Sequence, residues 1–109
     1  GDGLMGKGRL GDGVDVETGR AIARCCLLNG LSVLREALGS LDRVKRLVKV
    51  VGCVSSAPGF YEQPAGVDGA SRAIAEIVGD AGKHARSAVG VAALPRDVPV
   101  EIEFVTSVL

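Results

Sequence analysis

The 109-residue sequence predicts one α+β domain, a single sheet covered on one face by two helices. Two observations carry this. The hydrophobic patterns run helix, strand, helix, strand, strand. The apolar residues, 47% of the chain, are nearly all Val, Leu, Ile and Ala, with two Phe, one Tyr and no Trp. With 16 glycines limiting what each residue buries, that material suits a thin two-layer sandwich.

Each element has its own justification. The opening "GDGLMGKGRLGDG" reads as a glycine-rich loop or loose hairpin with little to pack. It is not G-x-x-x-x-G-K-[ST], and no apolar strand precedes it, so a phosphate cradle is disfavoured. From about Asp15 to Leu38 the period is helical. Ile22, Cys26, Asn29, Val33 and Ala37 fall on one stripe with Leu27, Leu34 and Leu38 beside it, and Gly39 is a natural stop. Asn29 lies in that apolar stripe, where it would need partners. Leu28 and Leu31 fall on the polar side and suggest a subunit contact. Ala23, Gly30 and Ala37 would admit a close neighbouring backbone. "VKRLVKVVGCVSS", Val44 to Ser56, is β-branched and apolar enough for a central strand. "APGF" turns the chain. Val67, Ala70, Ile74, Ile77 and Val78 then mark a second helix ended by Gly79. Strands from Ala85 to Leu94 and Val98 to Val108 flank the stiff turn "PRDVP".

Thirteen basic and thirteen acidic residues cancel, so the chain lacks the electrostatic footprint of a phosphate-backbone binder. Cys25, Cys26 and Cys53 form neither a disulfide framework nor a C-x-x-C pair, and read as small buried hydrophobes in a reducing compartment. No signal peptide opens the chain and no apolar run is long enough to span a bilayer, which predicts a cytoplasmic protein. No His, Cys and carboxylate cluster has metal-ligand spacing.

The chemistry-bearing stretch is "HARSAVGVAALPRDVPVEIE", where Arg86 interrupts a run of small apolar residues. Strand alternation puts His84, Arg86, Ala88, Gly90 and Ala92 on one side and Ser87, Val89 and Val91 on the other. Glu101 and Glu103 oppose Val100, Ile102 and Phe104. If the turn makes the two strands neighbours, Arg86 and Glu101 share a face. On pattern alone they then make a cross-strand ion pair on a solvated sheet face, worth about 0.2–1 kcal/mol.

The residues "RSAVGVAALPRDVPVEIEFV" resemble the C-terminal motif of the YjgF/YER057c/UK114 family, the Rid proteins, also described as endoribonuclease L-PSP-like. There an Arg opens a strand, Leu-Pro closes it and Val-Glu-Ile-Glu follows. The likeness extends to "LSVLREALGSLDRVKRLVKVVGCVSSAPGF" and "GKGRLGDGVDVETGRAIA". It implies a chorismate-mutase-like fold, a homotrimer joined through its sheets, and pockets between subunits. The open sheet face would then be buried against other copies, with Ala88, Gly90 and Ala92 allowing their close approach. The activity implied is hydrolysis of reactive 2-imino acids or their enamine tautomers to 2-keto acids and ammonia, without metal or other cofactor. Arg86 matches the arginine that grips the substrate carboxylate, with Ser87, Ala88 and Asp68 beside it. Glu101 matches the glutamate that positions or activates water, in the same pocket.

The match fails at some positions. Ala88 stands where deaminating members often carry Cys. Asp68, in "GVDG", stands where they often carry Asn, and otherwise reads as a solvated residue in the helix's first turn, favoured by the dipole. The family's N-terminal strands, with an aromatic pocket residue, do not appear before the glycine-rich loop. His84, the one histidine, reads as surface or structural, and Tyr61 as a residue after a turn. Two alternatives stand beside the deaminase: a non-enzymatic trimer that binds a small carboxylate, and the ribonuclease and translation-inhibitor role ascribed to some relatives. The absence of net charge and of a histidine pair disfavours the last.

Overall fold

A computed structural model describes residues 6–109. The elements are β1 (Arg9–Leu10), β2 (Gly13–Val14), α1 (Val16–Leu38), β3 (Val44–Ser55), α2 (Gln63–Val78), β4 (Ala85–Val91) and β5 (Val100–Val108). The first five residues of the glycine-rich segment lie outside this description.

The α+β class and the element order match the reading of the sequence, but the strand order does not. β3 is central, parallel to β4 and antiparallel to β5. The last two strands are therefore not neighbours. A parallel β3–β4 pair requires a crossover, and α2 supplies it. Residues Ala92 to Pro99 then carry the chain across the end of β3, a span of about 10 Å between alternate strands. Arg96 and Asp97 take left-handed conformations in this connection (φ 59° and 58°). Its end is pinned on both sides of β3, by Ser55 N–H donating to Pro99 O at 2.8 Å and Ser56 N–H to Val91 O at 2.9 Å.

β3 is bulged twice against β5, between Val44 and Arg46 and between Leu47 and Lys49. Each extra residue restores the inward direction one place late, so the inward positions run Val44, Leu47, Val50, Gly52, Val54, with Ser55 also buried at the strand's end. A strict two-residue alternation would have put Leu47 on the outside.

Asp15 accepts from Thr18 N–H at 2.8 Å and caps α1, and these hydrogen bonds hold its carboxyl below the usual value. Gly39 closes the helix in the left-handed region. The buried stripe is Gly19, Ile22, Ala23, Leu27 and Leu31, rotated from the expected one. Leu31 is 3% exposed, whereas Val33 is 68% exposed and Asn29 lies in solvent, where its amide needs no buried partner. The decisive feature is the second helix, which packs along Gly19–Ala23 and pulls that side inward. A Cβ on Gly69 would come within 2.1 Å of the Arg20 carbonyl oxygen, so the close helix approach falls there. Gly30 instead makes room for the Phe104 ring. Arg20 Nε donates to Ala65 O at 3.0 Å and Arg24 pairs with Glu76 at 2.9 Å across the helices.

α2 begins at Gln63, earlier than its apolar spacing indicates, because Pro64 fits the first helical turn. Within the glycine-rich segment, Leu10 is fully buried, against the expectation that little there packs. It bridges to Ser56 and fits beside Gly19, where a Cβ would stand 2.7 Å from its Cδ2, and beside Gly66, where a Cβ would make ordinary contact.

Candidate active site

Sheet register decides which side chains meet. Val50, Gly52 and Val54 face the helices, and they pair with Arg86, Ala88 and Gly90 on β4 and with Phe104, Ile102 and Val100 on β5. Arg86, Ala88 and Gly90 therefore lie on the helix-covered face, not on the open one. The small residues there make room for α2: a Cβ on Gly90 would stand 2.8 Å from Gln63 Nε2. Ala88 packs against the main core, and Ala92 falls beyond the end of β4.

The open face carries the other set. Val51 pairs with Ser87 and Glu103, and Cys53 with Val89 and Glu101. Glu101 thus points to the side opposite Arg86, with β3 between their strands. The expected Arg86–Glu101 pairing on one face does not occur within a chain, and Ser87 is likewise turned away from Arg86. Glu101 borders a hollow of about 360 Å³ beside Ile22, Cys26 and Val100.

Arg86 meets residues of α2 instead. Its Nη1 donates to Asp68 Oδ1 at 2.7 Å and to Ser71 Oγ at 3.3 Å. Asp68 and Ser71 stand one helical turn apart and so present to the same neighbour. Asp68 lies in the second turn of α2, not the first, and is a counter-ion rather than a dipole partner. Among the described residues, both bonds of the guanidinium leave from Nη1, so Nε and Nη2 have no protein acceptor there. The side chains of Arg86 and Asp68 are 26% and 37% exposed, and an ion pair so open to solvent contributes at most about 1 kcal/mol.

Ser71 links this pair to His84. Its Oγ lies 3.2 Å from His84 Nε2, and His84 Nδ1 approaches the Gly82 carbonyl oxygen. Asp68, Ser71, His84 and Arg86 thus form one polar cluster where α2 meets the β4 edge. The alternation of β4 had placed His84 on the Arg86 face, but Ser71 was missed. Its only sequence signal is the three-residue spacing from Asp68. Tyr61 is 82% exposed and belongs to no cluster.

The cysteines are free and partly rather than fully buried. Burial is the first cause that raises the Cys26 and Cys53 thiols, and Glu101 adds to both, so neither is an activated nucleophile. No group of three metal-ligating side chains occurs among the described residues, nor is any helix there long and apolar enough to cross a membrane.

The fold, the Arg86 strand and the Glu101 strand define a class: the chain belongs to the family described as "YjgF/chorismate_mutase-like, putative endoribonuclease", which it matches over residues 1–102. It is 47% identical over 97 residues to Protein TCP17 of Trypanosoma cruzi, covering 88% of this chain and 61% of that protein. The crystal structure of Atu1372 from Agrobacterium tumefaciens, a protein of unknown function, superposes with a TM-score of 0.92 at 39% identity, over 94% of this chain and 65% of that one. A protein of Shewanella oneidensis described as a "putative endoribonuclease" superposes at 0.90 with 29% identity, over 94% and 68%. The chain thus spans roughly three fifths to two thirds of the length of these relatives.

Proposed function

We propose that the protein hydrolyses small reactive 2-imino acids or their enamine tautomers to 2-keto acids and ammonia, with Arg86 as the carboxylate anchor. The observation that carries this is the half-engaged guanidinium. Asp68 and Ser71 fix Nη1 and so orient the plane, while Nε and Nη2, with no acceptor among the described residues, suit two parallel bonds to a carboxylate. Asp68 holds the fork without saturating it, and a solvent-exposed pair yields readily to a better-placed acid. Ala88 brings no side-chain chemistry, leaving its backbone amide to meet substrate, and Ser87 would act through its backbone alone.

Glu101 serves as the water-positioning carboxylate only if it comes from another copy, since its own chain places it behind the sheet. This favours assembly, as a trimer, through the open face. Val89 and Val105 are 44% and 51% exposed there, an apolar surface a second copy would cover. An iminium bound by its carboxylate needs little beyond orientation and one water, and no metal or other cofactor.

The test is to generate 2-iminobutanoate enzymatically and follow its decay. Acceleration by the wild-type protein, lost in Arg86→Ala, is the expected result; a rate equal to the uncatalysed one, or an undiminished Arg86→Ala, overturns the proposal. An RNA-cleaving role, which the Shewanella relative's description raises, is disfavoured by a formal net charge of zero and a single histidine, and predicts activity indifferent to imine substrates.

A further inference from the structure

We infer that the outer side of the helix pair is a second docking surface whose occupant is another copy of this chain, related by a twofold axis, a contact independent of the proposed reaction. Leu28 and Leu31 suggested a subunit contact from their place on α1. Leu31 is buried in the chain's own core, but Leu28 stays 38% exposed.

The two helices run in the same direction: Arg20 meets Ala65 and Gly69 early in α2, and Arg24 meets Glu76 further along. The close approach that Gly69 permits is not repeated toward the C-terminal ends. Leu28, Leu31, Ile77 of α2 and Leu41 of the short turn Leu41–Arg43 stand there, around a hollow of about 310 Å³ rimmed by Ser32 and Arg35. A second hollow of about 240 Å³ adjoins it, bordered by Asp42, Val44 and Val78. Leu41 and Ile77 line both, so they form the ridge that divides them. Ile77 is 41% exposed. An apolar ridge left open between two concavities, with polar groups at the rim, has the anatomy of an interface.

Charge decides the occupant. Among the described residues the side chains of Arg35 and Asp42 enter no ion pair, whereas Arg24 is matched by Glu76 and Lys83 by Asp80. Arg43, the other cation of the turn, is engaged by the carbonyl oxygens of Leu38 and Leu109. Arg35 borders the first hollow and Asp42 the second. The surface thus runs from a cation, across an apolar ridge, to an anion. Turned through half a revolution, that order is its own complement. Arg35 of each copy faces Asp42 of the other, and each Ile77 ridge enters a hollow of its mate. A small acid would satisfy Arg35 alone and leave Asp42 and the second hollow unfilled.

The surface is separate from the polar cluster around Arg86. Ile77 follows Asp68 on α2 by about two and a half turns, so it projects from the opposite side of that helix. Pairing through it covers neither Arg86 nor the open face of the sheet. Where the open face also joins three copies, the twofold contact pairs two such trimers.

Sedimentation equilibrium over a concentration series tests this. The wild-type particle should hold an even number of copies, two or six. Arg35→Glu sets like charges against each other twice in every contact and should weaken it about 10²-fold, as should Asp42→Arg. Ile77→Ala, which removes the ridge, should weaken it about tenfold. Each Arg35→Glu chain presents two anions and each Asp42→Arg chain two cations, so an equal mixture of the two should re-form the even particle. Arg35 and Asp42 are exposed, and an unchanged thermal midpoint in both variants separates a lost contact from a lost fold. A wild-type monomer or trimer at every concentration assigns the surface to some other occupant and overturns the inference. An even particle that the charge reversals leave intact, or reversals that mixing fails to repair, overturn it equally. None of these readings uses a substrate, so this contact and imine hydrolysis fail separately.

Discussion

The two faces of the three-stranded sheet are built to different specifications. Toward the helices, alternate positions hold Val50, Gly52, Val54, Ala88, Gly90 and Val100, side chains cut to the space that α1 and α2 leave. Away from the helices stand Val51, Cys53, Ser87, Val89, Glu101, Glu103 and Val105, a mixture of short apolar groups and carboxylates. The first face is finished within one chain, and at its β4 edge Arg86 is received by Asp68 and Ser71. The second has partners for few of its side chains. The lesson concerns how polar groups are divided: Arg86 is engaged within the chain, whereas Glu101 stands on the opposite face, so the proposed site could join the two only across copies.

The comparison breaks most visibly where space is tightest. Gly69→Ala puts a Cβ 2.1 Å from a helix backbone that cannot yield, and should cost about 3 kcal/mol or more, seen as a collapse of the denaturation midpoint. Open-face Val51→Ala should change that midpoint much less. Next in size is the anchor: Arg86→Ala should reduce kcat/KM for a 2-imino acid about 10²-fold or more while the midpoint barely moves. The division between copies has its own measurement. Arg86→Ala and Glu101→Gln should each be nearly inactive, yet refolding them together should restore about a quarter of the wild-type sites, since each site draws one residue from each of two chains. No recovery on mixing would place both residues in a single chain's site.

A smaller effect belongs to the counter-ion. Asp68→Asn removes a charge that competes for Arg86 and should tighten binding of a small 2-keto acid about three- to tenfold, read by calorimetry. Weaker binding would show that Asp68 orients the guanidinium more than it occupies it. The smallest lies far from either face. Because hydrogen bonds to Thr18 depress the Asp15 pKa in the folded state, its capping contribution is present above the unfolded value and fades as pH falls through the folded one. Asp15→Asn should flatten the acid limb of thermal stability and leave the neutral midpoint nearly unchanged.

Much of this architecture was legible in the residues. The helix, strand, helix, strand, strand order, the stops at Gly39 and Gly79, and the placing of Arg86 and Glu101 on strands all follow from local pattern. What pattern could not give was pairing. Two strands joined by a turn are taken for neighbours by default, and the parallel crossover through α2 reverses that default. With it goes the assignment of faces, because only register to Val50 shows which side of β4 the helices cover. The α1 stripe failed for a related reason: the burial of Leu31 and the exposure of Val33 depend on where α2 lies. Asp68 was noticed as a departure from the family pattern, but that it clasps Arg86 is a tertiary fact. Ser71 carried no signal of its own beyond its spacing from Asp68.

Leu10 has a mechanical consequence. A glycine-rich ribbon from Gly6 to Gly13, whose other side chains are polar, is fastened by one fully buried aliphatic stud, seated against Gly19 of one helix and Gly66 of the other. The ribbon therefore acts as a clasp on the helix pair, and the same α2 displays Asp68 and Ser71 to Arg86. A shortened stud at residue 10 would loosen the helix that holds Arg86 in place, so damage in the ribbon would surface as imprecision at the β4 edge.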